Sequence, residues 1–87
     1  MTMSTADQVA PAPGHSGDTV TFTLIEFNTQ RMMRGAAAAK VAIFLGGEQV
    51  NWLWMTPKDC RNNIAEFGPS DVLDGVIAQY RAHGVTR

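Results

Sequence analysis

Cysteine is nearly absent from this chain: Cys60 stands alone among 87 residues. No disulfide can therefore form within one copy. Without a secretory pattern, a lone cysteine predicts a reducing, cytoplasmic setting. Histidine is as scarce, with His15 and His83 the only two, and no zinc-ligand spacing can be built from them. Long apolar runs are missing as well; none approaches the roughly twenty residues that cross a bilayer. The first residues lack a basic start followed by an apolar block, so no signal peptide is expected. Nor is there an excess of charge of one sign. Seven Lys/Arg against eight Asp/Glu leave a net charge of −1, the wrong balance for a dedicated polyanion binder. Phosphate and nucleophile signatures are absent too. Gly46-Gly47 lacks the lysine-serine/threonine or third glycine of a nucleotide loop, and no Ser-His-Asp constellation has a local signature. The expectation is a protein without metal, cofactor or catalytic centre.

Residues 1–18 contain Pro11, Pro13, Gly14 and Gly17, with only Val9 and two methionines as larger apolar side chains. Such a segment cannot offset the entropy of ordering its backbone, so it reads as a disordered tail. Residues 19–87 then form a single small domain of about seventy residues, near the lower limit for a self-sufficient core. A chain of that size gains from an oligomeric contact.

Thr19 to Phe27 alternates Val20, Phe22 and Leu24 with threonines, as a half-buried strand requires. The phase changes at Ile25 and Phe27, which a β-bulge would produce, as would burial of different faces at the two ends of the strand. Residues 28–39 carry helix-favouring methionines, arginines and alanines interrupted by Gly35. A short helix there would make the flanking strands a βαβ unit with parallel strands; an extended loop is the alternative. Val41 to Leu45 and Val50 to Met55 read as strands joined at Gly46-Gly47, a pair suited to a two-residue hairpin. A plain hairpin sets Val41 opposite Trp52. Val41, Ile43, Leu45, Val50, Trp52 and Trp54 would then form the core face, and Trp52→Ala would destabilise by roughly 3–5 kcal/mol.

Thr56-Pro57-Lys58-Asp59 is a helix start, with a hydroxyl N-cap, proline at N1 and an acid at N3. Cys60, Ile64 and Phe67 follow at helical spacing until Gly68-Pro69. Ser70 caps a second helix whose apolar stripe is Val72, Leu73, Val76, Ile77 and Tyr80, ending at Gly84. The fold class is therefore α+β: a three-stranded, mostly antiparallel sheet with two C-terminal helices packed on one face.

Candidate chemistry is sparse. Cys60 in the first helical turn, beside Arg61 and near Lys58, has features that favour a thiolate, with His83 as an imaginable base; its place on the Ile64–Phe67 stripe favours burial instead. Asp59, Glu66, Asp71 and Asp74 lie on two adjacent helices, yet Asp59 and Asp71 suit helix starts, and Glu66 and Asp74 suit solvent-facing positions. Arg31, Arg34 and Lys40 form a small basic cluster, the nucleic-acid-binding candidates; Trp52 with Trp54 could stack on bases, but alternation sets both on the core face.

The segment from Trp54 to Gly68, Trp-Met-Thr-Pro-Lys-Asp-Cys-Arg-Asn-Asn-Ile-Ala-Glu-Phe-Gly, resembles a pattern found in small orphan proteins of bacteriophages and prophages. The resemblance covers under a fifth of the chain. It implies a cytoplasmic bacterial or phage accessory protein that works by binding a host machine, and it carries over no functional residues. The residues themselves lead to the same class. Two helices cover one sheet face, so Ala42, Phe44, Leu53 and Met55 on the other need the 31–39 segment of the chain itself, a second subunit or a partner protein. The expected function is a non-enzymatic interaction module without membrane association. A nucleic-acid accessory role through Arg31, Arg34 and Lys40 is the alternative.

Overall fold

The computed structural model describes residues 19–87, and the expected tail, 1–18, lies outside them. Alternating β-branched and aromatic residues build β1, Val20–Phe27. A five-residue helix, α1 (Thr29–Met33), interrupts the return of the chain into β2, Ala39–Leu45. β3, Glu48–Met55, follows across the turn, and α2 (Pro57–Phe67) and α3 (Asp71–Ala82) complete the domain. The sheet order is β1-β2-β3 and both pairings are antiparallel. The α+β architecture expected from the sequence is the one observed. No helix among the described residues is long and apolar enough to cross a membrane.

The βαβ arrangement considered for residues 28–39 does not form. Its connection is too short, since parallel strands need a crossover of a dozen or more residues. α1 makes about one turn, capped by the Asn28 side chain on the Arg31 N–H. The chain then reverses, and the Asn28 N–H donates to Ala38 O at 2.8 Å. Ala39, helical by propensity, is drawn into β2 by tertiary contacts. Ala38 and Ala39 are fully buried, and the Tyr80 hydroxyl accepts both of their N–H groups, at 2.7 and 3.2 Å, while donating to Met55 O at 2.6 Å.

The bulge expected in β1 is present: the β1–β2 register shifts between Leu24 and Glu26, leaving Ile25 as the extra residue. The turn also forms as expected, with Gly46 and Gly47 at φ 60° and 87°, a region that a Cβ disfavours. Leu45 pairs with Glu48 and Phe44 with Gln49.

Beyond that point the plain hairpin fails. A second bulge makes Val50 the extra residue, so Ile43 pairs with Asn51, Ala42 with Trp52 and Val41 with Leu53. A one-residue slip reverses the facing of every later side chain. Trp52 and Trp54 therefore leave the expected core face, and Leu53 and Met55 take it. Met55, opposite Ala39, is seated in the core, where its carbonyl accepts from the Tyr80 hydroxyl and its flexible unbranched side chain is fully buried.

The resulting core joins Phe22, Ala39, Val41 and Met55 of the sheet to Cys60, Leu73, Val76 and Tyr80 of the helices. α3 lies against β1, and α2 against β3 and α3. Both helix starts are as expected. Thr56 and Asp59 make a reciprocal capping box, Thr56 Oγ1 accepting the Asp59 N–H and Asp59 Oδ2 accepting the Thr56 N–H. Ser70 Oγ accepts the Leu73 N–H.

Candidate functional site: the open face of the sheet

Three cross-strand rows make up the face turned away from α2 and α3. They run Thr21–Phe44–Gln49, Thr23–Ala42–Trp52 and Glu26–Lys40–Trp54. The last two rows bring cations and indoles together. The Lys40 ammonium sits 4.5 Å from the centre of the Trp52 ring and 5.9 Å from that of Trp54. The two indoles meet edge to face at 6.4 Å. From the side, α1 delivers Arg31, whose guanidinium carbon lies 3.8 Å from the Trp54 ring centre. Arg31 Nε donates to Ala37 O at 2.7 Å, which fixes the guanidinium plane over the ring. Contacts of this kind contribute about 0.5–1 kcal/mol each at exposed positions.

Trp52 is 45% exposed, and Trp54 and Phe44 are half-buried. Among the described residues no carboxylate forms an ion pair with Arg31 or Lys40. The face thus presents aromatic surface with two cationic groups against one carboxylate among the described residues, Glu26, the cross-strand neighbour of Lys40. It can hold an apolar or anionic group.

The four residues expected to share a partner-binding face are divided by the Val50 bulge. Ala42 and Phe44 remain on the open face, although Ala42, flanked by Thr23 and Trp52, is only 2% exposed. Met55 is a fully buried core residue, and Leu53 lies on the helix side opposite Val41, 43% exposed at the sheet edge. Of the basic cluster, Arg31 and Lys40 converge on the tryptophans. Arg34, the exposed C-cap of α1, makes no contact with them. Trp52 and Trp54 were missed as site residues because Trp-Leu-Trp-Met is apolar in both parities, and alternation alone cannot say which faces inward. The signal that was present is Lys40, which shares its side of the pleat with Ala42 and Phe44.

Other candidates resolve into structure. Cys60 is fully buried. Burial, reinforced by the Asp59 carboxylate and opposed by Arg61, pushes its thiol up to about 11, away from the thiolate that nucleophilic chemistry needs. His83 stacks on Phe27 at 6.0 Å. No three His, Cys, Asp or Glu side chains converge among the described residues. A hollow of about 240 Å³ between β1 and the α2–α3 turn, lined in part by Val20, Phe22, Phe67 and Pro69, has Asp71 as its one titratable group. No protein-family model, curated protein or solved structure matches the chain.

Proposed function

We propose that this chain is a non-enzymatic interaction module, an accessory protein of the phage or prophage kind, acting in the reducing cytoplasm. It binds a partner protein or a second copy of itself through the open face of its sheet. One observation carries the reading: Trp52 remains 45% exposed beside half-buried Trp54 and Phe44 while the helices cover only the opposite face. Leaving such side chains in water forgoes roughly 1.5–3 kcal/mol for each one that burial would cover. Contiguous exposed apolar surface of this kind marks interaction sites.

Phe44→Lys tests it. The variant is expected to stay folded by circular dichroism while losing self-association in light scattering, or losing the partner that the parent chain retains. Unfolding of the variant as a monomer would make Phe44 part of the internal core and sink the reading.

A second reading, nucleic-acid association, draws on the positive charge of Arg31, Lys40 and nearby Arg34. Three cations support only weak, salt-sensitive binding. Tight binding of a fluorescent single strand at physiological salt, abolished by Arg31→Ala with Arg34→Ala, would put this second reading first.

A further inference from the structure

We propose that the occupant of the open face is an acidic protein segment with interspersed aliphatic side chains. Its carboxylates meet Lys40 and Arg31, and its apolar groups lie on Trp52 and Phe44. The inference rests on the interaction reading and names the chemistry of the partner.

Charge complementarity is the first argument. Arg31 and Lys40 stand on this face without ion-pair partners among the described residues, and Arg34 follows one turn along α1. Among the described residues the one acid of the same face is Glu26, the cross-strand neighbour of Lys40, whose carboxylate accepts from Asn28 Nδ2 at 3.3 Å. An incoming carboxylate meets net positive charge beside low-dielectric aromatic surface, which strengthens the attraction.

The same charges weigh against a second copy. Face-to-face stacking would press Arg31 and Lys40 toward their own equivalents, and like-charge juxtaposition is costly. Edge-to-edge pairing through β3 meets two devices that blunt sheet edges. The Val50 bulge breaks the ladder, and Asn51 Oδ1 accepts the Trp52 N–H at 2.8 Å, engaging a donor that a neighbouring strand would need.

Nucleic acid fits less well because base stacking needs open ring faces. The Arg31 guanidinium already lies against Trp54, and the Lys40 ammonium against Trp52. What remains is ring edge, one outer indole face and the apolar stem of Lys40, a surface matched to aliphatic side chains between carboxylates.

The chain has two tryptophans, both in this site, so intrinsic fluorescence reads the site directly. At low salt the ratio of iodide to caesium quenching should exceed that of free tryptophan amide about twofold, and should fall to that reference in Lys40→Gln with Arg31→Gln. A short peptide alternating Glu and Val should quench or shift the emission, with affinity falling as salt rises. Lys40→Gln, alone and with Arg31→Gln, should weaken that peptide by about tenfold for the pair. Arg81→Gln on α3 should leave it unchanged. A matched melting curve for Lys40→Gln excludes unfolding as the cause.

A peptide alternating Lys and Val that binds equally well overturns the inference, because attraction would then be merely apolar. Tighter binding of a thymidine oligonucleotide overturns it in favour of nucleic acid. If no probe binds while light scattering shows a dimer that Phe44→Lys disrupts, the interaction reading stands with a second copy as occupant, and the acidic-segment inference falls. If no probe binds and Phe44→Lys changes nothing, both fall.

Discussion

Tyr80 holds three backbone groups with one hydroxyl: it accepts from Ala38 and Ala39 and donates to Met55 O. Its ring packs edge-on against Phe27 at 4.9 Å. Tyr80→Phe keeps the ring and strands buried donors and an acceptor, so urea denaturation should show a loss of about 1–3 kcal/mol; a change under about 0.5 kcal/mol would mean that another group satisfies them. Trp52 makes the opposite case. At 45% exposure, Trp52→Ala should destabilise by about 1 kcal/mol rather than the 3–5 kcal/mol of a buried aromatic. Cys60 carries a pH signature. Its thiol is held protonated to about 11 in the fold, whereas an unfolded cysteine ionises near 8.5. The unfolded chain therefore sheds this proton first as pH rises. The contribution is fully present below the unfolded value and is lost as pH climbs toward about 11. Denaturation midpoints should fall across that window, and Cys60→Ala should flatten that part of the decline. The native thiol should also resist iodoacetamide at pH 8.

Among the elements, α2 was the most readable, because a capping box and an N1 proline act within one turn of chain. Removing the box with Thr56→Ala should cost about 0.5–2 kcal/mol, and Thr56→Ser should restore it, by thermal denaturation. β3 was the least readable. Its strand character was plain from Val50 to Met55, but its facing depended on a single inserted residue. Deleting Val50 should regularise the ladder and keep both indoles outward, with unchanged tryptophan emission and a cross-strand NOE between Val41 and Leu53. A blue-shifted emission in the deletion variant would mean that the rings had turned inward and that the bulge sets their direction in another way.

For the whole molecule, the α+β class, the starts of α2 and α3, the glycine turn and the break in alternation at Ile25 were legible in the sequence alone. Each depends on neighbours within a few positions: a hydroxyl before a proline, two glycines between apolar runs, a break in alternation. The candidate site was half legible. Arg31 and Lys40 stood out as basic residues and Phe44 as an apolar residue on a face that two helices could not cover. Three decisions belonged to tertiary structure. The Tyr80 hydroxyl accepts from Ala38, just before β2, and from Ala39, its first residue, contacts across more than forty positions that propensity cannot register. The short connection through α1 closed β1 and β2 as antiparallel neighbours rather than a crossover pair. The bulge at Val50 seated Met55 in the core beside Tyr80 and turned Trp52 and Trp54 outward onto Lys40 and Arg31. Where both parities of a strand are apolar, local pattern leaves two facings nearly equal in energy, and packing against the distant helix layer selects between them.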